Sequence, residues 1–485
     1  MDDRLTAEPS VTSRGRSAAP PPWLILTLVC IAQFMVVLDV SIVNIALPAM
    51  DAELGLGPEG LQWVVNGYVI TSAGFLLLGG RAADLYGRRR VFIAGMALFT
   101  LASLVGGAAT TGGMLVAARV VQGLGAAIVS PATLTILTTS FAEGPYRTKA
   151  ISTWGAIGAV GGAAGGIIGG LLTEALSWRW ILLINVPIGI VAIGIALRHL
   201  AESRDGAERR LDVAGAVTVT LGLMALEYGL IHTHDAGWGA PQALVPMAAG
   251  ALLLAVFVVV QARFASDPLV PLRAFRARSV SGTTVVQLLI GSAGFAMWYF
   301  LSLYLQQALH YSPLQAGFAL LPHCLAIVVA SKTTPRLVAR TGPRPLIALG
   351  ALMAAAGFLW QAQITADSGY VTGVLLPGLL LTGGMGLGFP PLAMAATSGV
   401  PSSEQGLVSG LLNCARQFGG SLGLAGLVTL AAAHTLTLTT AGTPEVEALA
   451  AGYARAFLVS AVLMVAATIA TLAIPGRRAA RDAGR

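Results

Sequence analysis

Five side chains with acid, base or charge chemistry stand inside stretches that otherwise have the composition of lipid-spanning helix. They are Asp39 in FMVVLDVSIVNIALP, Arg119 in RVVQGLGAA, Glu227 in LGLMALEYGLI, His323 in LLPHCLAIVVA and Arg416 in GLLNCARQFGG. An ionisable group at that depth is costly, so it pairs with a neighbour or marks an ion or substrate path. An uncompensated carboxylate there exchanges its charge for a proton, which makes Asp39 a candidate proton carrier. The alternative is a structural Asp39 paired with a neighbouring helix. Arg119 precedes Gln122 and Gly123 by three and four positions, so the three share a helix face. It faces a cavity or a partner, or it satisfies backbone carbonyls.

The elements that must hold these residues follow from composition. Hydrophobic residues make up 55% of the 485-residue chain and charged residues 11%, against about 25% charge in a soluble domain. About twenty apolar residues cross a bilayer, and fourteen such spans are predicted: 23–46, 60–80, 91–110, 112–136, 150–173, 180–198, 211–232, 243–262, 280–304, 314–334, 345–364, 371–397, 406–433 and 454–474. The chain is read as an all-α integral membrane protein.

Lys and Arg collect in alternate loops, which by the positive-inside rule places both termini in the cytoplasm. The net charge of +7 is spread over these hinges, which points to topology and anionic lipid and gives no nucleic-acid face. Residues 1–22 are a polar cytoplasmic tail without an apolar core, so the first span serves as an uncleaved insertion signal, and 476–485 form a second tail. Cys30, Cys324 and Cys414 fall inside spans without metal-ligand spacing and are read as packing residues, with no metal expected. Neither Lys149 nor Lys332 lies in a phosphate-binding G-x-x-x-x-G-K-[ST] loop, and no segment outside the spans is long enough for a catalytic domain. A nucleotide-driven pump and an enzyme are therefore both excluded.

The chain also repeats itself. GRAADLYGRRRVFIAG (80–95) returns in degenerate form as PRLVARTGPRPLIALG (335–350), with Arg81, Gly87 and Gly95 matched by Arg336, Gly342 and Gly350. Two related halves with a site at their interface are a transporter architecture. The predicted units are a six-helix bundle over 23–200, an inserted helix pair over 211–262 and a second six-helix bundle over 280–475.

Taken in order, LDVSIVNIALP, GRAADLYGRRR, RVVQGLGAA, WRWILLINVPIG, SPLQAGFALLP and GLVSGLLNCARQFGGSLG resemble the fourteen-helix drug:proton antiporters of the major facilitator superfamily, the EmrB/QacA type. The resemblance covers nearly the whole chain. It implies a major facilitator fold and export of small amphipathic or cationic compounds by alternating access, driven by the proton gradient without a cofactor, from a monomer in the cell membrane. Symport or uniport of a small metabolite on the same scaffold, or a non-transporting membrane sensor, are the alternatives.

The same resemblance assigns roles. Asp39 matches an acid in the family motif, and Arg119 would bias its proton affinity. Gly80, Asp84, Gly87 and Arg88 would form a cytoplasmic latch in which Asp84 meets the helix N-terminus near Ser402, Ser403 and Glu404; simple positive-inside anchoring is the alternative. Gly158, Gly162, Gly166 and Gly170 form one of two i+4 glycine rows on the fifth helix, a smooth packing surface. The family's antiporter motif usually has a proline near Gly166, and this chain lacks it. Candidate cavity residues are Asn44, Trp63, Tyr68, Gln122, Glu227, Trp298, Tyr299, His323 and Arg416, with Glu227 expected in a peripheral groove or as a second proton or cation site; a satisfied place in the core is the alternative for Glu227, His323 and Arg416, and interface anchoring for the aromatics.

Overall fold

The computed structural model describes residues 22–141, 144–203, 211–237, 239–398, 400 and 404–475. Residues 1–21 of the first predicted tail, the second tail, part of the basic loop after the sixth helix, and Ser402 with Ser403 lie outside the described residues, and Pro22 opens the first helix.

Among the described residues, fourteen helices are long and apolar enough to cross a bilayer. In chain order they are α1 (Pro22–Leu54), α2 (Gly57–Tyr86), α3 (Arg88–Gly107), α4 (Gly112–Ser140), α5 (Lys149–Ala175), α6 (Trp180–His199), α7 (Val213–Thr233) and α8 (Pro241–Phe264). They continue with α9 (Arg278–Ala308), α10 (Pro313–Thr341), α11 (Pro343–Gln361), α12 (Val371–Thr397), α13 (Gln405–Thr440) and α14 (Glu445–Ala473). Helices satisfy every backbone polar group internally, which is why apolar runs of this length fold this way in lipid. Several ends outrun the apolar pattern. The last helix starts at Glu445 and not at 454, because Glu445 and Glu447 in its first turn complement the positive end of the helix dipole.

The two halves are built alike. In the first, α4 packs on α2 and α3, α1 on α5 and α4, and α3 on α6; in the second, α12 packs on α10 and α11, α9 on α13 and α12, and α11 on α14. Each contact of the first half thus has its counterpart eight helices on. The halves meet along two seams, α5 against α10 and α13 against α2, which exchange under the same correspondence. The inserted pair joins only one of them: α8 packs on α7, and α7 packs on both α2 and α13.

The repeat seen in the sequence has a conformational basis. Gly87 ends α2 at φ 103° and Gly342 ends α10 at φ 86°, a backbone region that favours glycine. The matched Gly95 and Gly350 face α4 and α12 respectively, where a side chain would collide with Ile128 in the first half and with the Gly384 and Gly388 backbone in the second.

Candidate functional site

The described residues place the predicted polar groups in four settings. The first lies within the opening half. Asp39 of α1 is fully buried, and its Oδ2 accepts from Arg119 Nη1 of α4 at 2.6 Å. Its Oδ1 accepts from Gln122 Nε2 at 2.7 Å and from Asn185 Nδ2 of α6 at 2.9 Å. Arg119 also donates to the Val64 carbonyl of α2 at 3.0 Å and to Gln122 Oε1 at 2.7 Å, and its guanidinium lies 4.4 Å from the centre of the Tyr68 ring. Gln122 continues to Ser103 Oγ at 2.8 Å. Three donors converge on one carboxylate, so Asp39 meets the Arg119 cation on one oxygen and two neutral donors on the other. The Tyr68 hydroxyl ends in this cluster with no hydrogen-bond partner.

The second setting is a cavity of about 550 Å³ between the halves. Along α5 it is walled by Trp154, Gly155, Gly158, Gly162 and Gly166, and along α10 by Gly317, Leu320, Cys324 and Val328. Gln33, Ser41 and Asn44 from α1, Phe295 and Trp298 from α9, Phe389 from α12 and Arg416 from α13 complete it. The wall is mainly apolar and aromatic, which suits loose selection of flat or amphipathic ligands.

The cavity is closed at the end away from the chain termini. A Cβ on Gly317 would overlap the Gly166 backbone, and one on Gly170 would overlap Pro313 and Leu314. Nearby, Ser302 Oγ donates to the Asn44 carbonyl at 2.8 Å and Gln306 Nε2 to that of Ile45 at 3.1 Å, tying α9 to α1. The two glycine rows of α5 divide their work. Gly158, Gly162 and Gly166 face the cavity, whereas Gly161, Gly165 and Gly169 pack on Phe34, Ser41 and Ile42 of α1. Gly170 lies past the cavity, at the closed end.

The third setting is the seam occupied by the inserted pair. Glu227 is fully enclosed, with Oε1 accepting from Asn66 Nδ2 of α2 and Oε2 from Ser421 Oγ of α13 at 2.8 Å. The peripheral groove expected for it is overturned, because α7 turns this face inward and touches both halves at once.

The fourth setting is the hinge after α2. Asp84 pairs with Arg88 at 3.0 Å. The carboxylate at a helix N-terminus here is Glu202, which follows α6 and accepts from the Arg89 and Arg90 backbone amides at 3.2 and 3.3 Å; negative charge is favoured at that end. Its side chain fills the space beside Gly87 that a Cβ would need, while Gly80 packs against Pro131 of α4. Glu404, at the start of α13, lies 3.4 Å from Arg273.

Several expected cavity residues are elsewhere. Tyr299 is enclosed edge-on to Phe300, Trp63 packs beside Tyr228 of α7, and His323 is buried with Nε2 3.2 Å from the Val374 carbonyl. Tyr68 and Gln122 belong to the Asp39 cluster. The placement of each depends on which face of its helix meets a neighbour, and a polar or aromatic residue type does not reveal that. Sequence reasoning passed over Asn185, Ser103, Asn66 and Ser421. The signal available was a neutral polar residue in an apolar run, as in WILLINVPIG.

Comparison with known proteins adds to this geometry. A family model described as Major Facilitator Superfamily matches residues 29–424. The chain is 47% identical over 453 residues to a cephamycin export protein of Amycolatopsis lactamdurans, covering 93% of this chain and 92% of that protein. It is 38% identical over 488 residues to a puromycin resistance protein of Streptomyces alboniger, covering 99% and 96%. Among solved structures, a peptide transporter in complex with sulfate matches with a TM-score of 0.67 at 16% identity, covering 96% of this chain and 97% of that one; this likeness concerns the fold alone.

Proposed function

The chain belongs to the major facilitator superfamily, and from that premise we propose that it is a drug exporter of the cell membrane that expels small amphipathic, antibiotic-like compounds by proton-driven alternating access. The observation that carries the reading is the cavity itself, which sits between two like-built halves and is sealed at one end by the Gly166–Gly317 contact. Relatives that span nearly the whole chain are named for antibiotic export and resistance, and cephamycins and puromycin are the compounds to try first. With the termini cytoplasmic, the sealed end faces outward, so a compound enters the cavity from the cytoplasmic side and leaves once the α5–α10 seam parts.

The proton is carried by Asp39. Protonation removes its ion pair with Arg119 and frees a guanidinium that also touches α2, so a local proton event acts on three helices of the first half. Neither the site nor the relatives favour the symport or uniport alternative.

The test is accumulation of puromycin and of a cephamycin in sensitised cells that express the protein. Lower accumulation of at least one, reversed by a protonophore, is the expected result. Equal accumulation with and without well-inserted protein, for both compounds, would overturn the export reading.

A further inference from the structure

Arg416 is the sole charged side chain among the described residues that wall the cavity. It is partly exposed, and the space beside it is the cavity. One of its nitrogens donates to Asn413 Oδ1 at 2.9 Å, within the same helix, and its guanidinium lies 5.7 Å from the centre of the Phe295 ring. None of the described carboxylates pairs with it, in contrast to Arg119, which has Asp39 at 2.6 Å. A guanidinium carries five donors in a planar fork that matches a carboxylate, so most of its donors lack a protein partner. Placed among apolar walls at the depth of a membrane, such a cation attracts an anion more strongly than it would in water. Trp298 and Phe295 on α9 and Trp154 on α5 supply flat apolar surfaces around the same space.

We propose that Arg416 anchors an acidic group of the transported compound, so that the cavity prefers molecules with a carboxylate attached to a flat apolar body over their neutral and cationic counterparts. This deepens the export reading and rests on its cavity being the substrate site. The Arg416 fork holds the carboxylate, the aromatic walls hold the body, and Asn413 keeps the fork oriented.

A matched series isolates the charge: 1-naphthaleneacetate, its methyl ester and 1-naphthylmethylammonium share one ring system. Binding of each to the purified full chain in detergent is followed by tryptophan quenching, with Trp154 and Trp298 reporting from the cavity wall. The acid is expected to bind at least about tenfold more tightly than the ester or the amine, the scale of a charge-assisted hydrogen-bonded pair. Arg416→Gln should lower the acid to the level of the ester and leave the ester unchanged, which also certifies that the variant is folded. Arg416→Lys should keep part of the preference. Equal binding of the three probes, a preference that survives Arg416→Gln, or no saturable quenching by the acid would each overturn the proposal. Binding is read at equilibrium and export as flux, so the two readings fail separately. An intact acid preference without uphill movement of any compound would sink the exporter, whereas uphill movement without a charge preference would sink the anchor.

Discussion

Gly166 of α5 and Gly317 of α10 meet backbone to backbone where the two halves close over the cavity, and their contact is asymmetric. A Cβ added to Gly166 would lie 3.3 Å from the Gly317 carbonyl, a squeeze that a small shift relieves, whereas one added to Gly317 would overlap the Gly166 carbonyl.

Gly317→Ala is therefore expected to hold the seam apart and cut export by about tenfold or more, with Gly166→Ala retaining most of it. Drug accumulation in cells, normalised to membrane-inserted protein, measures both. Equal loss in the two variants would contradict a closure made at this pair of glycines.

The Asp39–Arg119 pair predicts an asymmetry of its own. Arg119→Gln leaves a buried carboxylate without its cation and should destabilise the protein by ~3–5 kcal/mol, the usual cost of breaking a buried pair from one side. Asp39→Asn in the same background should restore much of that stability without restoring transport. Thermal unfolding in detergent reads the first effect and drug accumulation the second. Additive losses of stability would show that the two side chains do not act as a pair.

Glu227 is held by two neutral partners, Asn66 and Ser421, on opposite halves. A glutamine can accept from Asn66 and donate to Ser421, so Glu227→Gln should unfold close to wild type. Glu227→Ala, which loses both bonds, should cost ~1–3 kcal/mol. Comparable unfolding of the two variants would mean that the seam does not depend on these contacts.

At the α2–α3 hinge, Gly87→Ala meets two obstacles: its φ of 103° and the Glu202 side chain that occupies the place of a Cβ. The expected cost is ~1–3 kcal/mol, and Glu202→Ala in the same chain should relieve the steric part while giving up the bonds to the Arg89 and Arg90 amides. A neutral Gly87→Ala would show that the hinge relaxes freely.

The architecture was legible because lipid imposes one rule on every span: the fourteen apolar runs, and the repeat that ties Gly87 to Gly342, both stand in the sequence. Asp39 and Arg119 were conspicuous as charges in apolar runs. Their bond was not, because it depends on how α1 and α4 cross, and Asn185 carries no charge to draw the eye. The peripheral groove offered for Glu227 fails for a similar reason: insertion between the bundles suggests a peripheral helix, and only the packing of α7 against both α2 and α13 turns its face inward. Spacing alone presents the α5 glycines as one smooth surface, yet a rotation of one residue separates those that face the cavity from those that pack on α1. Arg416 was visible as a charge, and what makes it distinctive, the lack of a carboxylate partner beside an open space, is a property of its neighbours.

Uptake of whichever antibiotic the cells expel into energised, everted membrane vesicles, for wild-type protein and Asp39→Asn at matched expression, tests proton-driven export through Asp39 most directly. Uphill uptake by the wild type should collapse with a protonophore, and uptake by Asp39→Asn should fall to the level of vesicles without the protein. Uphill uptake that ignores the protonophore, or that survives intact in Asp39→Asn, would contradict proton-driven export through Asp39.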